Sequence, residues 1–385
     1  MQSLICARCS SEYPADELHN RCECGGTLLV GYDLTGSVDL AGVRQRPGGM
    51  WRYRELLPIV GEPVSLGESE TPLLFLPRIS ERLGVETYLK DEAPLPSGTF
   101  KARGAAVALT RLLELGVESV VMPSAGNAGG AWSLYAARAG VPISVTMART
   151  APAMNQTETR LAGAELILVD GSIADAGAKA KEIAAATGAY LASTFNEPYR
   201  VEGKKTAWLE VFDASGRAAG SDKMSLPGSI ITSVGGGVAA VAAAKAATEV
   251  TALGWADGPV PQIIGVQAAD CAPVVSAFEA GDDETKPWPE IPGTIAAGLR
   301  VPAPSEGYLV LRSVRSSDGT MVAVTEDEIR SAIATLASLE GLLVCPEGAT
   351  ALVAAERLAA SLRPPVVLYN TGAGIKYLEM LAGRA

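Results

Sequence analysis

The chain has 385 residues and a formal net charge of −11, which argues against a nucleic-acid partner, because such binding draws its affinity from clustered Lys and Arg. Its single histidine, His19, excludes multi-histidine metal chemistry, and a Ser-His-Asp triad would have to be built on a residue inside a cysteine-flanked N-terminal segment. No apolar run reaches the roughly 18 residues of a membrane-crossing helix, and Met1-Gln2-Ser3-Leu4-Ile5-Cys6 lacks the basic start and apolar core of a secretory signal. The expected compartment is therefore the cytoplasm, with no membrane partner.

Residues 1–32 hold four of the six cysteines, as Cys6-x-x-Cys9 and Cys22-x-Cys24-Gly25-Gly26. In a reducing compartment this spacing reads as a metal clip rather than as disulfides, with four thiolates offered to one tetrahedral Zn²⁺. The second pair is tighter than the usual C-x-x-C, so a metal-free ribbon is the other reading. Residues 33–64, with Pro47-Gly48-Gly49 and two arginines expected to be exposed in Trp51-Arg52-Tyr53-Arg54, read as a linker or covering arm.

From about residue 85 onward, short β-branched runs alternate with longer Ala-rich amphipathic stretches, the pattern of βα repeats and a mainly parallel sheet. Strands are predicted at 119–122, 143–147, 166–169, 229–232, 262–267 and 366–369. Helices are predicted at 100–115, 127–139, 155–162, 175–186, 201–212, 238–253, 326–339 and 349–361. Open α/β sheets bind ligands beyond the carboxyl ends of their strands, so the loops that follow the strands are where a site is expected.

Three such loops stand out: Ser124-Ala125-Gly126-Asn127, Gly235-Gly236-Gly237-Val238 and Asn370-Thr371-Gly372-Ala373-Gly374. A glycine run opening a helix turns several backbone N–H groups toward a phosphate; glycine runs also mark tight turns and close packing. In Pro96-Ser97-Gly98-Thr99-Phe100-Lys101, the lysine falls in the first turn of a helix, where the dipole disfavours a charged ammonium. A desolvated lysine there is a Schiff-base nucleophile; the bland alternative is a solvated surface lysine.

Ser97-Gly98-Thr99-Phe100-Lys101, Ser124-Ala125-Gly126-Asn127 and Gly235-Gly236-Gly237, in that order, resemble the marks of the fold-type II, tryptophan synthase β-like, pyridoxal-phosphate enzymes. Asn196-Glu197-Pro198-Tyr199-Arg200-Val201-Glu202-Gly203-Lys204-Lys205-Thr206 is similar to an N-P-x-R-x-E-G-x-K-T element of the threonine synthase family. The resemblance covers roughly residues 65–380. It implies two open, mainly parallel α/β subdomains within a catalytic domain at 65–385, the smaller at about 104–200, behind the zinc-ribbon-like segment.

It also implies pyridoxal 5'-phosphate attached to Lys101, with Asn127 on its phenolic oxygen and Gly235, Gly236, Gly237 and Val238 on its phosphate. Thr371 would face the pyridine nitrogen, a neutral partner that suits elimination and replacement over transamination. Ser124, Ala125 and Gly126 would meet the substrate carboxylate. The reaction implied is that of a lyase converting O-phospho-L-homoserine and water to L-threonine and phosphate by γ-elimination and β-addition of water. Arg200, then Lys90, are the cations proposed for the leaving phosphate; the competing readings are an ion pair of Arg200 with Glu202 or a neighbour, and a surface pair for Lys90. Ala102 and Ala125 depart from the family pattern, which keeps a threonine or serine dehydratase or a phosphoserine β-synthase as the alternative. A homodimer is the family expectation.

Overall fold

The computed structural model describes residues 3–35, 38–289 and 293–382. Residues 1–2 of the expected ribbon, 36–37 of the arm, and 290–292 and 383–385 of the expected catalytic segment lie outside them. The chain divides into two units, one of residues 1–33, 53–68 and 99–204, the other of 34–52, 69–98 and 205–385. The ribbon therefore belongs to the first unit, and the expected arm is shared between the two.

The first unit contains a four-stranded parallel sheet in the order Glu165–Val169, Ile143–Ala148, Val120–Ser124, Tyr190–Leu191. In its ribbon, Ser3–Cys6 lies between the antiparallel strands Glu12–Pro14 and Leu28–Gly31. The ribbon is tied to residues 195–202: Thr27 donates to the Phe195 carbonyl at 2.7 Å, Asn20 to that of Asn196 at 2.9 Å, and the Tyr32 hydroxyl to Glu202 at 2.8 Å.

The second unit holds a six-stranded sheet, ordered Thr320–Val324, Gln262–Ala268, Ser229–Ser233, Val366–Asn370, Thr87–Asp91, Leu73–Phe75. All neighbours are parallel except the edge strand Leu73–Phe75. Ser229–Ser233 and Val366–Asn370 are buried at every residue, as central strands covered on both faces must be. Ile231, Ile264, Leu89, Leu368 and Val324 form part of one apolar core, each such side chain contributing about 1.5–3 kcal/mol relative to exposure.

Several helix ends depart from expectation: Ala153–Leu161 starts two residues early, Arg200–Ala218 runs six residues further, and two more starts are set by local caps. Ile173–Thr187 begins two residues before the predicted start, because Ser172 and Asp175 form a capping box. Pro346–Leu358 likewise starts early, with Cys345 as cap and Pro346, whose missing N–H costs nothing there, in the first turn. The strand Thr320–Val324 and the helices Pro77–Leu83, Pro273–Ala280 and Gly307–Arg315 lie outside the predicted elements.

Arg52 corrects the expectation of an exposed arm. It is buried and pairs with Asp213 at 3.2 Å and Glu70 at 3.4 Å, while Arg44 reaches the other Asp213 oxygen at 2.7 Å. A buried carboxylate needs such partners, so Asp213 anchors residues 34–52 within their unit.

Candidate active site

In the second unit, Ser229–Ser233 runs through Val234 and the three glycines into the helix Val238–Ala252. Gly237 is left-handed, φ +82°, and caps the helix; a Cβ at Gly235 would collide with the Gly298 carbonyl. Among the described residues, no backbone carbonyl accepts from the amides of Gly235, Gly236 or Gly237. Donors gathered at a helix start in a position closed to side chains fit a phosphate group. Thr371 follows Val366–Asn370 and is buried, its hydroxyl 3.2 Å from the Cys345 sulfur. Asn370 joins that pair: its side-chain oxygen lies 3.4 Å from the Cys345 sulfur, and its amide donates to Asp91 at 2.7 Å. Cys345, to which the sequence assigned no chemistry, is thus the side chain beside the Thr371 hydroxyl.

Lys90 is buried in the same unit, donating to Glu210 and to the Thr71 carbonyl, each at 2.7 Å. The surface pair expected for it is instead a buried one, and its charge is committed to a carboxylate.

In the first unit, Lys101 opens the helix Lys101–Glu114, its Nζ 4.7 Å from the Phe100 ring centre. The start of Arg200–Ala218 packs against this helix backbone to backbone. A Cβ at Gly203 would strike the Arg103 carbonyl, and one at Gly104 would lie 3.1 Å from the Arg200 carbonyl. This close approach brings Arg200 and Lys204, one turn apart, to the neighbourhood of Lys101. Arg200 is buried, pairs with Glu197 rather than Glu202, and stands 5.2 Å from the Trp132 ring centre; its Nη2 is buried with no hydrogen-bond partner. Lys204 places its Nζ 5.2 Å from the Phe100 ring centre and is 4% exposed. Burial, then the charges of Lys101 and Arg200, hold its ammonium well below the ordinary lysine range, whereas burial pushes the Glu197 carboxyl upward despite the adjacent Arg200.

The helix Asn127–Ala139 starts at Gly126, whose φ of +148° only glycine adopts readily. The Ser124 hydroxyl accepts from the Gly126 amide at 3.0 Å and the Gly129 amide at 2.8 Å, so it shapes the loop. Ala125 and Asn127 are half-buried, and the Asn127 side-chain oxygen accepts from Asn155 at 2.8 Å. Sequence reasoning missed Asn155, Glu197 and Lys204. Lys204 and Glu197 had local signals, their i, i+4 and i, i+3 spacings from Arg200.

The four thiols Cys6, Cys9, Cys22 and Cys24 lie within 4.8 Å of one another, with Cys6 to Cys24 and Cys9 to Cys22 both 3.5 Å. A tetrahedral zinc bound at about 2.3 Å would space its sulfurs by about 3.8 Å, so the set fits that ion. A Cβ at Gly26 would press on the Cys6 sulfur at 2.8 Å, and Gly25 turns at φ +80°, which explains the glycine pair. Hydrogen bonds from Ser11 bring the Cys9 thiol down to about 6; Cys24 accepts from the Gly26 amide, yet the neighbouring thiols push it up to about 12. Thiols this close cannot all ionise without a cation among them. His19 lies against Tyr13, ring centres 4.9 Å apart, and is not part of the cluster.

A family model described as pyridoxal-phosphate dependent enzyme matches residues 64–372. The chain is 33% identical over 362 residues to a threonine synthase of Methanosarcina acetivorans, covering 93% of this chain and 87% of that protein. To a threonine synthase of Methanocaldococcus jannaschii it is 34% identical over 360 residues, 92% of this chain and 86% of that protein. Among solved structures, a T.th. threonine deaminase superposes with a TM-score of 0.66 at 26% identity, over 88% of this chain and 98% of that one. A maize serine racemase, at 23% identity and a TM-score of 0.69 over 90% and 98%, shares the fold. The chain belongs to the threonine synthase family of fold-type II pyridoxal-phosphate-dependent enzymes.

Proposed function

We propose that this enzyme converts O-phospho-L-homoserine and water to L-threonine and phosphate. The observation that carries the phosphorylated substrate is the buried Arg200 Nη2, an unpartnered guanidinium donor near Lys101. A planar guanidinium suits a phosphate oxygen, and an uncompensated buried donor is costly unless a ligand meets it. Pyridoxal phosphate, when bound, supplies the electron sink that makes the substrate's α and β protons removable. Lys101 would carry the cofactor and, once released, move those protons on its Nζ. Asn127 would hold the ring oxygen in an orientation set by Asn155, Gly235 to Val238 the cofactor's phosphate, and Thr371 the ring nitrogen. The half-buried Ala125 and the amides at the start of Asn127–Ala139 would receive the substrate carboxylate on a loop shaped by Ser124 and Gly126. Lys90, neutralised by Glu210, is left out. Incubation with O-phospho-L-homoserine should release phosphate and threonine in equal amounts; phosphate without threonine, or 2-oxoacid from threonine as the main activity, would rule the reaction out.

The four thiols are proposed to hold a structural Zn²⁺. Metal analysis of reductively purified protein should find one zinc per chain. Cys9→Ser with Cys22→Ser should remove it and lower the melting temperature, because the ribbon braces residues 195–202 through Thr27, Asn20 and Tyr32. Unchanged zinc content in that variant would exclude this site. Among the described residues no helix is long and apolar enough to cross a membrane, and the enzyme is proposed to be cytoplasmic. The family resemblance supports a homodimer, which sedimentation would reveal or refute.

A further inference from the structure

Three basic side chains, Lys101, Arg200 and Lys204, are gathered in the first unit near one carboxylate, Glu197. That carboxylate is already satisfied, by the Arg200 Nε and by the amides of Tyr199 at 2.8 Å and Arg200 at 3.0 Å. The Arg200 Nη2 remains buried without a hydrogen-bond partner, and the Lys204 side chain is buried with its Nζ 5.2 Å from the Phe100 ring centre. They lie one turn apart on the same helix, so they face the same way. An unmet buried guanidinium donor is costly, and a multiply charged anion would meet it and draw a proton onto the Lys204 amine beside it.

We propose that Lys204 is a second ligand of the substrate's phosphate group beside Arg200, and that it takes up one proton as the phosphate dianion binds. The inference rests on the phosphorylated-substrate reading and adds a residue and a proton to it. Before binding, burial first and then the charge of Arg200 favour the neutral amine over the ammonium, and Glu197 opposes them only weakly; Lys101 adds its own charge only while it carries no cofactor. The arriving dianion reverses that balance: the amine takes a proton from solvent, becomes an ammonium and donates to a phosphate oxygen. The proton returns to solvent when phosphate leaves. Phosphate affinity should therefore fall as pH rises between the free and the bound pKa of Lys204, by up to about tenfold per pH unit.

The test is calorimetric titration of inorganic phosphate into the holoenzyme at pH 8, in two buffers of different protonation enthalpy. Wild type should take up about one proton per phosphate bound. Lys204→Gln should bind roughly tenfold or more weakly, as loss of a charge-assisted contact predicts, and should show no uptake. Arg200→Gln should also bind weakly but keep the uptake. Equal observed heats in the two buffers for wild type would overturn the proposal, whether or not the Lys204 variant folds, as would wild-type affinity in Lys204→Gln. Absence of turnover on O-phospho-L-homoserine alongside the expected binding pattern would count against the reaction and leave the role of Lys204 in place.

Discussion

Lys101→Ala is expected to lose roughly 10³-fold or more of turnover, because one residue both carries the cofactor and moves the substrate protons. The fold should survive. Lys101 is the first residue of its helix and half-buried, and alanine is the best helix former. The variant should keep its far-ultraviolet circular dichroism while losing the visible absorbance of lysine-linked cofactor. Turnover within tenfold of wild type would remove Lys101 from the role. Lys204 makes this a real contest, since the Nζ atoms of both lysines approach the same Phe100 ring, at 4.7 and 5.2 Å. If the two were interchangeable, Lys204→Gln would bleach the cofactor and Lys101→Ala would not.

Lys90→Met should destabilise the protein by about 3–5 kcal/mol, the usual cost of stranding one member of a buried ion pair. Lys90 and Glu210 are each 1% exposed. Glu210 also accepts from the Thr71 amide at 3.2 Å, and the Thr71 hydroxyl, 3.3 Å from Glu210, donates its one proton to the buried Glu92 at 2.6 Å. Removing the ammonium takes from the buried Glu210 the cation that donates to it at 2.7 Å. The double change Lys90→Met with Glu210→Met should recover most of the loss, since an apolar pair of similar volume is often as stable as a buried ion pair. Denaturant midpoints measure both. A phosphate-binding Lys90 would give the opposite pattern, an unchanged midpoint with a raised KM.

The parts of the site legible in the sequence were those built within a few consecutive residues. Gly126 at φ +148° and Gly237 at φ +82° are demanded by the local turn from strand to helix, so the small-residue motifs around them stand out on the page. The strands that end at Ser124, Ser233 and Asn370 could be read to within two residues of those ends, because buried parallel strands are short β-branched runs followed by such turns. Leu73–Phe75 was not legible: three residues on an antiparallel edge carry too little periodicity to register. Helix starts at Ile173 and Pro346 were misplaced by two and three residues because the caps Ser172 and Cys345 were not weighed.

Charge partners were the other class that the sequence concealed. Arg52, expected to be exposed, meets Asp213; Lys90 meets Glu210, 120 positions away. Arg200 meets Glu197, close in sequence, yet the orphaned Nη2 that gives it a functional reading is visible only in the packed protein.

By itself the sequence determined the family, the cofactor class, the order of the strand-end loops and the four-cysteine set, because each is carried by residue types at short fixed spacings. Tertiary structure alone decided which charges are neutralised and which are left to meet a ligand. It bound the ribbon to the segment carrying Arg200, and through the backbone contact at Gly104 and Gly203 it buried Lys204 near Lys101. The reason is physical: a side chain's burial and its partners are properties of packing between elements distant in sequence, and the solvation of a charge depends on that packing far more than on its neighbours along the chain.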